Sequence, residues 1–325
     1  MQQNMNKSIG FYLRAIVSLG IISYLITILE WDRIYKILPS LVPEYVMASY
    51  ILVLFSTGVA AIRWSFLLKQ VAVIQRIRDS LNFYLTSMFY GAILPGIVAG
   101  DLVRLGLSIK LHGLASKGVL AVGVLIERAC GLMSVLIIFS VMTLSLPPII
   151  AKAELFSASA NSVSIFLIIS FVLMLVILKA LPGLWRVKSA PSESLIARIY
   201  LILDGLRNLP VAVIFSILLL SILVNLFDIV AGYFLAQALH LDVSLYVFLL
   251  IIPMTYVLTA LPISLGGLGV REGVLTFFLV KVGVVASDAV VLALLIYLTK
   301  LAVGLIGGLI HFTGPKQHPQ TGAGD

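Results

Sequence analysis

A small set of ionisable side chains lies inside or at the ends of long apolar runs: Asp101 and Arg104, Glu127 and Arg128, Asp228, Arg271 and Glu272, and Lys300. Within a bilayer such groups are costly, so by default they serve function or pair with one another. A spacing of three puts Asp101 and Arg104 on one face of a helix. Arg104, Arg128, Arg271 and Lys300 could meet an anionic phosphate headgroup. Arginine suits that task because its planar fork engages phosphate oxygens two at a time. Asp101, Glu127, Asp228 and Glu272 could hold those cations, or take the ammonium of an aminoacylated lipid. The competing role is structural, with charges paired only to fix helix packing.

These residues flank a segment that occurs twice. Leu94-Pro95-Gly96-Ile97-Val98-Ala99-Gly100-Asp101-Leu102-Val103-Arg104 reads on Leu261-Pro262-Ile263-Ser264-Leu265-Gly266-Gly267-Leu268-Gly269-Val270-Arg271, with Leu-Pro, the second Gly and Val-Arg at the same offsets. Proline and glycine interrupt a helix in both copies. Each break creates a half-helix whose N-terminus, after Gly100 or Gly267, offers unpaired N–H donors and positive dipole charge. Pro95, Gly100, Pro262, Gly266 and Gly267 therefore join the charged residues as candidate substrate-binding positions. Paired, Gly/Pro-interrupted apolar segments in two halves of a chain are a signature of transport sites. The copies differ in one respect: the acid precedes Arg104 but directly follows Arg271.

The elements that must position these residues are transmembrane helices. The chain has 325 residues, 61% hydrophobic and 11% charged, with mean hydropathy +1.15. A soluble domain carries about a quarter charged residues, so this is an integral membrane protein. Apolar runs of roughly 20 residues, the length a span needs, occur at about 9–29, 45–66, 118–146, 161–181, 210–239 and 288–312. Two further runs, 81–99 and 244–263, end in the repeated segment and are followed by short amphipathic pieces at 101–116 and 270–284.

Loop charge sets direction. The 30–44 and 147–160 loops read as external; the 63–80 loop, with Arg63, Lys69, Arg76 and Arg78, and the basic 182–209 loop read as cytoplasmic. Broken, re-entrant hairpins at 81–116 and 244–284, entering from opposite sides, avoid violations of these signs. The expected fold is thus an all-α polytopic membrane protein with an inverted-topology repeat, about six full spans and two re-entrant hairpins. Half one runs over about 9–146 and half two over about 161–312. A tail at 313–325 is expected to be disordered, both termini are expected in the cytoplasm, and the location is expected to be the inner (plasma) membrane.

Other chemistries find little support. The four histidines lack metal-ligand spacing, and the single Cys130 gives no disulfide or redox pair. No Walker motif, nucleophile elbow or zinc-protease motif occurs, so neither a cofactor nor a catalytic residue is expected. The net charge of +8 is spread over loops; it suits anionic headgroups rather than nucleic acid.

Pro95-x4-Gly100-Asp101-x2-Arg104, Ile126-Glu127-Arg128 and Pro262-Ile263-Ser264-x-Gly266-Gly267-x-Gly269-Val270-Arg271-Glu272-Gly273 together resemble the lysylphosphatidylglycerol synthase transmembrane-region family, over about residues 10–312. The resemblance implies flippase-like movement of a polar-headed lipid, with membrane phospholipid headgroups as the partners. In the two-part members a soluble aminoacyl-transferase domain follows the membrane region. This sequence stops at Asp325, and the expectation is a stand-alone member that does not itself make aminoacyl-lipid. The alternative is a membrane subunit or partner of a lipid-modifying enzyme, acting in glycosyl or aminoacyl transfer, with Asp101, Glu127 or Asp228 as acid/base candidates.

Overall fold

The computed structural model describes residues 38–71, 73–93, 99–113, 117–145, 210–260 and 269–313, with Ser23, Thr27, Ile165 and Ile169. Regular structure among the described residues is helical. A short 3-10 turn, Leu38–Ser40, leads into α1 (Pro43–Gln70), α2 (Ile77–Ile93), α3 (Ala99–His112) and α4 (Lys117–Leu144). Then come α5 (Val211–Ala238), α6 (Leu245–Ala260), α7 (Val270–Lys281) and α8 (Ala286–Thr313). The protein is an all-α polytopic membrane protein. Helices α1, α4, α5 and α8, each 28 residues, are long and apolar enough to cross a bilayer. They correspond to the expected spans at 45–66, 118–146, 210–239 and 288–312. The expected spans at 9–29 and 161–181, the 182–209 loop and the tail after Thr313 lie outside the described residues.

Local chemistry fixes the ends of these helices. α1 begins with Pro43, which fits the first turn because its missing N–H has no helical partner there. Glu44 in its first turn and Lys69 in its last match the helix dipole. α7 begins at Gly269, whose φ of 79° favours glycine. The Glu272 carboxylate reaches back to accept the Gly269 N–H at 2.9 Å, one half of a capping box.

Helix α2 has 17 residues and α6 has 16. At about 1.5 Å per residue both fall short of the roughly 30 Å hydrocarbon core. Each is followed, after the repeated Leu-Pro segment, by a shorter helix that packs against it: α3 on α2, and α7 on α6. The turn-back is visible at Gly100. A Cβ there would lie 2.8 Å from the Ser87 carbonyl oxygen and 3.6 Å from Gly91 Cα. The start of α3 thus lies alongside the end of α2, and only a glycine permits that approach.

Packing between helices repeats across the molecule. α1 and α5 run against each other most extensively, with Phe55 and Phe227 rings 6.2 Å apart. Exchanging α1–α4 for α5–α8 leaves the set of neighbouring helix pairs unchanged: α2–α8 matches α6–α4, α3–α4 matches α7–α8, and α1–α4 matches α5–α8. Glycines make the tightest seams. Gly304 and Gly307 bring α8 onto the Leu85–Phe89 backbone of α2, Gly308 packs on the Phe89 ring, and Gly123 brings α4 onto the buried Trp64 ring.

One sequence expectation is corrected. Arg63, counted above among the charges of a cytoplasmic loop, lies inside α1 and is 8% exposed. The helix continues to Gln70 because Trp64, Leu67 and Leu68 are fully buried core residues; the polar face they accompany points inward, not into a loop.

Candidate functional site

Helices α1, α2, α3 and α4 each deliver one residue to a common point. Glu127 of α4 is its centre. Its carboxylate accepts from Arg63 Nε of α1 at 3.0 Å, from Arg104 Nη1 of α3 at 2.6 Å, and from the Tyr84 hydroxyl of α2. Only 2% of the Glu127 side chain is exposed. Two guanidinium groups and a phenol around one buried carboxylate supply what a charge needs when it leaves water.

Arg104 is held on every side. Its guanidinium lies between the Trp64 and Tyr84 rings, 4.5 and 4.3 Å from their centroids, a cation–π sandwich. Its Nη2 reaches Asp101 Oδ1 at 3.2 Å, the pairing expected from their spacing on α3. Its Nε is buried and meets no hydrogen-bond acceptor among the described residues. The second oxygen of Asp101 takes Arg128 Nε at 2.5 Å. Burial decreases along this chain of charges: the side chains of Arg104, Asp101 and Arg128 are 3%, 23% and 40% exposed. Arg63 extends the network to α5, with Nη1 donating to Ser221 Oγ at 2.8 Å.

Helices α5, α6, α7 and α8 build a counterpart in which the helices supplying base and acid are exchanged. Where α1 supplies Arg63 and α4 supplies Glu127, α5 supplies Asp228 and α8 supplies Lys300. Lys300 Nζ lies 2.7 Å from Asp228 Oδ2. Tyr256 of α6 stands where Tyr84 stands in the first half; it donates to Asp228 at 2.9 Å and accepts from Lys300 at 3.0 Å. At the start of α7, Arg271 is bound by the adjacent Glu272, Nη2 to Oε1 at 2.6 Å, and lies 5.1 Å over the Tyr297 ring.

Two cavities accompany the clusters. The first, about 450 Å³, is lined at one end by Arg63, Tyr84, Asp101, Arg104, Glu127 and Arg128. Its other end is apolar, with Leu132 and Val135 of α4 and Val224 of α5. From Glu127 to Val135 the wall rises about 12 Å along α4. The second, about 20 Å³, is enclosed by Asp228, Tyr256, Arg271, Glu272 and Lys300 with apolar neighbours. It has room for about one water molecule. Tyr256 lines both.

Of the candidate positions, Asp101, Arg104, Glu127 and Arg128 converge on the first cavity, and Asp228, Arg271, Glu272 and Lys300 on the second. Gly100 abuts α2. Pro95, Pro262, Gly266 and Gly267 lie outside the described residues. Sequence reasoning missed Arg63, Trp64, Tyr84 and Tyr256. Arg63 carried a signal, an arginine followed by further apolar residues. The tyrosines carried none, since aromatic residues are ordinary in apolar helices.

Among the described residues, no group of three or more His, Cys, Asp or Glu side chains could hold a metal ion. What the first site offers is an amphipathic recess: three cations against two carboxylates, opening onto an apolar wall. No curated protein matches the sequence at a significant level. The family model for the lysylphosphatidylglycerol synthase TM region does match, over residues 11–308, and the chain belongs to that family.

Proposed function

We propose that this protein translocates a membrane lipid with a polar, phosphate-bearing headgroup, and that the first cavity is where the headgroup travels. The family is linked to flippase-like handling of membrane lipids in general. The observation that carries the reading for this chain is the amphipathic cavity itself. Its volume, about 450 Å³, falls within the roughly 300–1,000 Å³ of small-molecule sites. Its polar end has one positive charge in excess, matching a single phosphodiester; its apolar end suits the first methylenes of acyl chains.

The same reading makes the two halves an inverted repeat. Exchange symmetry of the helix neighbours supports it, as do the paired hairpins. The charge-exchanged clusters then face opposite leaflets, the larger cavity accepting a headgroup while the smaller is closed. Tyr256, shared by both, is the physical link between them. The protein works in the inner membrane with cytoplasmic termini.

The test is flux. Purified protein is reconstituted with fluorescent phosphatidylglycerol, phosphatidylethanolamine and aminoacylated phosphatidylglycerol, and movement between leaflets is followed by chemical quenching of the outer leaflet. Arg128→Gln removes the most exposed cation of the site and leaves Glu127 its three donors, Arg63, Arg104 and Tyr84. It should reduce flux tenfold or more while the melting temperature holds. Wild-type flux in Arg128→Gln would overturn the assignment of the cavity.

A further inference from the structure

Asp101 is the carboxylate of this site that a ligand could replace. Glu127 is sealed, with three donors and 2% exposure. Asp101 is 23% exposed, lines the larger cavity and is held by two guanidinium groups, at 3.2 Å from Arg104 and 2.5 Å from Arg128. It also stands in the first turn of the 14-residue helix α3, where the positive end of the helix dipole favours an anion. One carboxylate bridging two guanidinium groups at a helix N-terminus presents two oxygens and one negative charge. A phosphodiester presents the same: two free oxygens and one negative charge. Arg104 also keeps one donor, its buried Nε, with no acceptor among the described residues.

We propose that Asp101 is an internal stand-in for the phosphodiester of the transported headgroup. It holds Arg104 and Arg128 in position, yields them when a phosphodiester arrives, and recaptures them to expel it. The consequence is kinetic. Headgroup affinity is kept low by competition from within the site, so the lipid leaves as readily as it enters. A transporter that bound its substrate without such a competitor would retain it. The proposal rests on the headgroup-binding reading above and adds the residue that sets affinity and release.

The ligand chemistry is a monoanionic phosphodiester or phosphate, which a lipid or a free phosphate could supply. Binding is therefore measured calorimetrically on the purified full chain in neutral detergent with three probes: dihexanoyl-phosphatidylglycerol, glycerol phosphate and inorganic phosphate. A lipid site binds the first at least tenfold more tightly than the other two; equal binding of all three assigns the site to free phosphate and overturns the lipid reading. Asp101→Asn and Asp101→Ser, each checked by melting temperature, should bind dihexanoyl-phosphatidylglycerol about tenfold more tightly than wild type, and should translocate phosphatidylglycerol more slowly. Asp79→Asn, which removes an acid at the start of α2 outside the cavity lining, should leave the affinity unchanged. Wild-type binding with no gain in either Asp101 variant overturns the stand-in alone. An equal gain in Asp79→Asn reduces the effect to net charge and overturns it too. Absence of binding in wild type and variants alike overturns the headgroup reading, and the stand-in with it.

Discussion

Glu127 is the residue on which the site depends. Its removal strands Arg63 and Arg104, both buried, with Ser221 left to Arg63 and Asp101 to Arg104 among the described partners. Leaving a buried charge unpaired costs about 3–5 kcal/mol. Glu127→Ala should therefore lower the unfolding free energy by that order, read as a large fall in melting temperature in detergent. A fall no greater than that of Arg128→Gln would contradict its role as the hub. Tyr84→Phe keeps the ring that covers Arg104 and removes one neutral donor; its expected cost is about 0.5–1.5 kcal/mol. The charged members of this cluster that lie in the repeated segment and on α4 were legible in the sequence, because ionisable groups are rare at membrane depth. Their partners were not. Tyr84 and Trp64 are apolar by composition and acquire their meaning only when α1, α2 and α3 meet around Arg104. Arg63 was misplaced because a positive charge near the end of an apolar run carries the same sequence signal whether it starts a loop or faces a buried acid.

At the scale of elements, the glycine seams separate two kinds of glycine that sequence cannot tell apart. A Cβ on Gly307 would lie 2.0 Å from the Leu85 carbonyl carbon, and one on Gly304 would lie 2.9 Å from the Phe89 backbone nitrogen. Neither contact can be relieved by a side-chain rotation, so α8 must move off α2. Gly307→Ala should therefore destabilise the protein by several kcal/mol or prevent its folding. Gly58 of α1 meets nothing within 4 Å; Gly58→Ala should be neutral or stabilising by up to about 1 kcal/mol. Comparable thermal shifts in the two variants would contradict the seam. The long helices α1, α4, α5 and α8 follow from unbroken apolar runs, and their ends match expectation within a few residues. The interruptions between α2 and α3 and between α6 and α7 were legible from Leu-Pro with clustered glycines, whereas Pro253 and single glycines such as Gly58 stay inside helices. Which glycine serves a turn and which serves packing was not, since Gly100 does its work against Ser87 and Gly91, residues that only the folded chain brings alongside.

At the scale of the whole molecule, α1–α4 and α5–α8 carry the same set of helix neighbours around clusters in which acid and base change places. In the sequence, the repeated segment leads into α3 and again into α7. The exchange of Arg63 and Glu127 for Asp228 and Lys300 was hidden, because pairs of opposite polarity leave no sequence match. If the halves are inverted, Lys110 and Lys281 at the ends of α3 and α7 lie on opposite sides of the membrane. Single cysteines there, in the Cys130→Ala background, should react with a membrane-impermeant maleimide from opposite faces of oriented vesicles. Labelling of both from one face would contradict the inversion. The central claim is that lipid headgroups pass through the cavity between α4 and α5. Gly131 lines that cavity and has open space where its Cβ would stand, so Gly131→Trp fills the passage without disturbing the helix seams. The most direct measurement is phosphatidylglycerol flux in proteoliposomes holding wild type or Gly131→Trp. Flux is expected in wild type and its loss in a Gly131→Trp protein that still folds; undiminished flux through the plugged cavity would contradict passage through it.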